Sequence, residues 1–181
     1  GPSVKPYQPA GLWLETSNRG YEQDSGTSLF RRSMYTYWKR SVPPPNMAAL
    51  DAPNRETCVN LRQRTNTPLM ALVLMNDPTF VEASRALAER ILTEFGGEND
   101  ERLQFAFELA TARPAMPNEA MVLRKILDRN IDYYRANAKA ADELLGVGSS
   151  PRNASLDAAE HAAWTAVSTV ILNLDETISK E

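Results

Sequence analysis

Three runs of chemically capable side chains crowd into the first third of the chain. They are Phe30-Arg31-Arg32-Ser33-Met34-Tyr35-Thr36-Tyr37-Trp38-Lys39-Arg40, then Asp51-Ala52-Pro53-Asn54-Arg55-Glu56-Thr57-Cys58, then Arg62-Gln63-Arg64-Thr65-Asn66-Thr67. Guanidinium forks match carboxylates, sulfates and phosphates, and aromatic faces stack on sugars or cations. Arg55, Arg62 and Arg64, with Tyr35 and Trp38, are therefore the candidate binding residues for an anionic ligand. Glu56 is the candidate general base, because desolvation would raise its pKa toward the working range. A glycosidase would need a second carboxylate at a matched distance, which sequence alone does not establish. The same mixture also builds polar cores, where a buried guanidinium must meet carboxylates such as Asp51, Glu56 or Asp77.

Cys58 and His161 are the only cysteine and histidine. One thiol makes neither an internal disulfide nor a four-cysteine zinc site, and one imidazole makes no di-histidine centre. No metal site and no cofactor is expected in this chain. The sequence places Cys58 as a small buried apolar residue and His161 as a partly exposed helical one. Asp175 and Glu176 lack calcium-loop spacing. The Asn153-Ala154-Ser155 sequon matters only where the source organism glycosylates such sites.

The 181 residues are 43% hydrophobic and 24% charged, which suits a folded domain with a core. No apolar run is long enough to cross a bilayer. The net charge of −3 conceals an imbalance. From Arg31 to Arg64 seven basic residues face two acids, while residues 65–181 carry a net −7. The expectation is an intramolecular match, the arginines neutralised by acids of later helices. Nucleic acid is not expected, since the sequence is acidic overall, pI about 5.3, and no binding motif accompanies the arginines.

These residues have to be positioned by a chain that becomes more regular as it proceeds. Residues 1–27 hold Pro2, Pro6, Pro9, Gly11, Gly20 and Gly26, and read as an extended arm anchored by Leu12, Trp13 and Leu14, with a short strand pair near residues 20–26. Residues 28–66 form the basic aromatic segment. A helix is expected from Ser28 to Ser41, ended by Pro43-Pro44-Pro45, with Arg31, Tyr35 and Trp38 on one face, and a single turn from Met47 to Ala52. Residues 67–181 read as a helical bundle. Thr67-Pro68 and Asp77-Pro78 are N-cap and first-turn pairs. The helix after Asp77 carries Phe80, Ala83, Leu87, Ile91 and Phe95 on one stripe, with Arg85–Glu89 and Arg90–Glu94 outside. Further helices are expected over Asn99–Thr111, over Asn118–Asn137 with a continuation or bend to Leu145, and after a Ser155 cap, with Gly146–Pro151 as a flexible loop. The fold class is mainly α: a helical bundle wrapped by an irregular Pro/Gly-rich N-terminal arm.

Several words of this sequence, in order, resemble the planctomycete PSD1 family, a domain of unknown function also called DUF1553. They are Gly1–Pro9, the Phe30–Arg40 block with the triple proline after it, Asp51–Cys58, Arg64–Leu72, Asn76-Asp77-Pro78 and Leu172–Glu176. The resemblance implies the C-terminal part of a large exported protein, periplasmic or secreted, whose other parts are DUF1549-like and cytochrome c-like domains, the latter carrying haem c. It also implies a setting in polysaccharide breakdown and redox metabolism, and a chain lacking the family's upstream helices, Gly1-Pro2 being native or a tag scar. No catalytic residues are implied. Two functions follow as expectations: a structural and interaction module, or part of an extracytoplasmic carbohydrate-active enzyme that binds an anionic glycan at an interdomain site.

Overall fold

A computed structural model of the chain describes residues 1–14, 20–61 and 65–178. Among these, regular structure is helical, with two isolated bridges and no strands. The eight α-helices are α1 (Pro45–Ala49), α2 (Pro68–Asn76), α3 (Pro78–Glu94), α4 (Asn99–Thr111), α5 (Pro117–Ala136), α6 (Ala138–Leu145), α7 (Ala158–Leu172) and α8 (Asp175–Ile178). The mainly α fold class holds. The chain divides into two compact units, Gly1–Val73 and Leu74–Glu181.

The second unit is organised around α7, which packs on α3, α5 and α6. His161, Ala162, Ala163, Trp164, Thr165, Val167, Ser168 and Ile171 of α7 are all buried. A helix with small and apolar residues on nearly every side is built to be surrounded. Ile91, Leu103, Phe107, Leu123 and Leu127 complete the core. Starts and stops follow local chemistry. Asp77 accepts the Thr79 N–H at 2.9 Å, and Asp157, not Ser155, caps α7 through the Glu160 N–H at 2.9 Å. Ser155 instead donates from its hydroxyl and amide to Asn153. The chain bends between α5 and α6 at Asn137, whose side-chain amide donates to the Tyr133 carbonyl.

Two surface features of the sequence reading are interior. Ala83 of α3 is exposed, while Glu82, Ser84 and Arg85 are buried beside Val81, Ala88 and Ile91, so the helix is rotated relative to its apolar stripe. Arg85 donates to the carbonyls of Leu145 (2.5 Å), Val147 (2.8 Å) and Ser150 (2.6 Å) and lies 3.4 Å from Glu82. Glu82 accepts the amides of Ser149 and Ser150. The loop after α6 is thus wound around a buried ion pair rather than left flexible. Gly148, at φ +96°, is required there, because a Cβ would come within 2.6 Å of the Glu82 carboxyl. His161 is also fully buried, its Nε2 3.2 Å from the Arg85 carbonyl oxygen. Burial holds the imidazole below its ordinary pKa.

At the far end Arg113 stacks on Phe107 and pairs with Glu119 at 2.8 Å and Glu176 at 2.7 Å, tying α8 to the start of α5. The Arg113 hydrogen bond holds the Glu119 carboxyl down at about 2, and lowers that of Glu176 as well. Glu176 closes the last of the family-like words, and its role is this staple.

Candidate functional site

In the first unit the segment expected as one helix from Ser28 to Ser41 is instead two 3-10 turns, Gly26–Phe30 and Ser33–Tyr35, followed by extended chain. The reason is tertiary. Val4 donates its N–H to the Tyr35 carbonyl (2.8 Å) and accepts the Tyr37 N–H (2.7 Å), so the arm takes groups that a helical turn would have used. The arm is fixed further along. The Lys5 carbonyl accepts the Asp24 N–H at 2.9 Å, the Asp24 carboxylate accepts the Lys5 N–H at 2.6 Å, and the Tyr21 hydroxyl donates to the Pro6 carbonyl at 2.5 Å. Burial and the neighbouring Asp24 charge push the Tyr21 hydroxyl up to about 12. Among the described residues 20–26 no strand forms.

Four basic side chains of the described part of this unit rest on rings, Lys5 over Tyr37 among them. Arg31 lies 4.4 Å over Tyr35 and donates to the Pro2 carbonyl. Lys39 lies 4.6 Å over Trp13, which also meets Tyr21 and Tyr37. Arg55 lies 4.5 Å over Trp38. Of the carboxylates named as partners for the arginines, Asp77 caps α3, and Asp51 accepts both the amide and the hydroxyl of Thr65 at 2.7 Å. The Asp51–Thr65 bonds close the loop that carries Arg55, Glu56 and Cys58. Asp51 and Arg55 both sit in the left-handed region, at φ 59° and 63°.

Of the candidate binding residues, Arg55 and Trp38 are brought together, and Tyr35 is engaged by Arg31. Arg62 and Arg64 lie outside the described residues. Glu56 is exposed, and its backbone N–H donates to the Asn54 side chain at 3.0 Å, so it lacks the burial a carboxylate base would draw on. Cys58 is exposed rather than buried. Among the described residues no group of three or more His, Cys, Asp or Glu could hold a metal ion, and no helix is long and apolar enough to cross a membrane.

The stacking arrangement was half legible in the sequence, since cations and rings alternate through it. Which cation meets which ring was not, because the arm's pairing to residues 35–37 sets that.

No curated protein matches the chain, and no solved structure does. A family model described as PSD1, a protein of unknown function (DUF1553), matches residues 1–127, which takes in the arm, the cation-ring segment and the helices through most of α5; Leu172–Glu176 lies beyond that span. With more than half its length matched, the chain belongs to the PSD1 (DUF1553) family.

Proposed function

We propose that this chain is a structural and interaction module, and that its first unit docks on a companion body of the same multidomain protein. One observation carries the reading. Among the described residues, Gly1–Val73 buries six apolar side chains (Val4, Trp13, Leu29, Val42, Pro44 and Met70) and exposes eight large ones. The exposed set includes Phe30, Met34, Leu61, Leu69 and Leu72. So thin a core is marginal for a body of that size, and its outward apolar area is what a partner would cover. Helix α2 concentrates the effect: it holds no charged residue, buries Met70 and Leu74, and leaves Leu69, Leu72 and Met75 exposed on the other side. The family resemblance supplies the setting of the proposal, an exported, cytochrome c-linked protein serving polysaccharide-related redox metabolism.

Oxidative footprinting tests it. Met34 (68% exposed) and Met75 (48%) should oxidise rapidly in the 181-residue chain and be protected in the full-length protein, with buried Met70 as the unreactive control. Equal oxidation of Met34 and Met75 in both would refute the docking reading.

A second reading is favoured by the Arg55–Trp38 stack: an anionic glycan bound at that exposed surface as part of a carbohydrate-active enzyme. Its test is haem reduction by the full-length protein across plant and algal glycans. A rate untouched by Arg55→Ala, in a folded variant, would sink it.

A further inference from the structure

His161 is the only imidazole of the chain, and it is buried near the start of α7, where that helix packs on α3. Its Nε2 lies 3.2 Å from the Arg85 carbonyl oxygen, which can only accept, so Nε2 carries the proton. Nδ1 is then the bare nitrogen, buried and without a partner among the described residues. Protonation would make it an N–H donor with nothing to receive it, and would set a second cation beside Arg85.

The surroundings do little to relieve that. Burial is the largest influence and opposes the charge; the Arg85 carbonyl and Glu89 of α3 favour it, while the Arg85 guanidinium and Arg152 oppose it. Glu82 of α3 is engaged by Arg85, Asp142 of α6 by Arg152, and Glu160 of α7 by Arg102 of α4. Asp157 caps α7, and Tyr134 of α5, packed beside Ala162, is a neutral phenol at these pH values.

Arg85 also fastens the loop after α6. Its side chain holds the carbonyls of Leu145, Val147 and Ser150, and Glu82 holds the amides of Ser149 and Ser150. None of residues 146–151 is buried. Polar bonds, rather than core side chains, therefore keep this loop in place, and releasing it leaves Trp164, Val167 and Ile171 in the core. Arg152, which follows the loop directly, acts on the imidazole, so the loop passes beside His161.

We propose that His161 and the Arg85–Glu82 pair form an acid-sensitive latch, in which protonation of His161 releases residues 146–151 from α3 while the rest of the helical unit stays folded. The closed form need not admit the proton, because the open form takes it up and is held open by it. The latch is independent of the docking and glycan readings.

Amide hydrogen exchange of the 181-residue chain, followed by 1H–15N NMR from pH 7 to 5 and corrected for intrinsic exchange, tests it. The probe is the Ser150 N–H, bonded to Glu82 at 2.6 Å, with the Phe107 and Leu123 amides of the core helices as references. With the open form titrating at about 6.5 and the closed form refusing the proton, the Ser150 opening constant should rise by up to about 25-fold over that range. Its exchange should depend little on urea below the unfolding transition, whereas that of Phe107 and Leu123 should depend steeply. The His161 ring resonances should titrate below 6.5, and His161→Gln should abolish the Ser150 rise. A rise under about twofold overturns the latch, as does a Ser150 urea dependence equal to that of the core amides, which would mean global unfolding. A ring that titrates at or above 6.5 overturns it too, and so does a rise that survives in His161→Gln, which would assign the effect to a carboxylate. The urea dependence and the ring titration come from the native chain, so they decide the matter even if the variant fails to fold.

Discussion

Replacing Arg85 by methionine should cost the helical unit about 3–5 kcal/mol, the range for removing one member of a buried ion pair. The guanidinium, with 4% of its side chain exposed, serves Glu82 and the carbonyls of Leu145, Val147 and Ser150, and Glu82 in turn holds the amides of Ser149 and Ser150. Arg85→Met leaves a buried carboxylate without its counter-charge and three carbonyls without their donor. Against a total of about 5–15 kcal/mol for a domain, that loss is large. It should lower the melting temperature on the order of 10 °C. Urea denaturation followed by far-UV circular dichroism measures it, because the helical signal comes largely from α3 to α7. A second variant sharpens the argument. For an ordinary buried pair, replacing both partners by apolar residues often restores stability. Here Glu82→Met with Arg85→Met should not, since five backbone groups of the loop lose their partners together. A single-variant loss below about 1 kcal/mol would refute the reasoning, since a buried hub would then be worth no more than one ordinary hydrogen bond. A double variant near wild-type stability would show that charge burial, and not loop anchoring, is what Arg85 answers.

Gly148→Ala should be destabilising by more than the roughly 1 kcal/mol typical of point changes, since both its positive φ and the approach to Glu82 oppose a Cβ; the same urea midpoint reads it. His161, held below its ordinary pKa chiefly by burial, is protonated more readily in the unfolded chain. Stability should therefore fall as pH drops through about 6.5, and a non-titrating residue such as His161→Gln should flatten the urea midpoint between pH 7 and 5. The lowered carboxyls of Glu119 and Glu176 act in a more acidic window. Their contribution is fully present above the ordinary carboxylate pKa and is lost as pH falls from there toward about 2, and Arg113→Gln should remove that acid dependence in carboxyl NMR titrations. Leu72→Ser, at an exposed position, should leave the unfolding free energy from urea denaturation within about 0.5 kcal/mol of wild type while exposing Met75 to oxidation in the full-length protein.

Local signals fixed most of the helices before any coordinates were needed. Asp77-Pro78, Gly96-Gly97 and Pro117 mark ends by chemistry that acts within one turn, and the stripes Leu123–Ile126–Leu127–Ile131–Tyr134 and Ala163–Val167–Val170–Ile171–Leu174 lie toward the core as their spacing requires. A stripe, however, states only where apolar residues are. Arg85, Glu82 and His161 look like surface residues by type. Arg85 and Glu82 are interior because a distant loop offers five backbone groups that need such partners, and His161 is interior where α7 packs on α3 and meets the Arg85 carbonyl. The cation-ring composition of residues 30–55 was likewise written in the chain, together with Arg55 and Trp38 as candidates. Sequence spacing put Arg31, Tyr35 and Trp38 on one helical face; the backbone of Val4, more than thirty residues upstream, removed that helix. Capping and periodicity are short-range and so belong to the sequence. Burial of polar groups and the pairing of extended chain depend on where remote backbone donors and acceptors arrive, which only the tertiary structure decides.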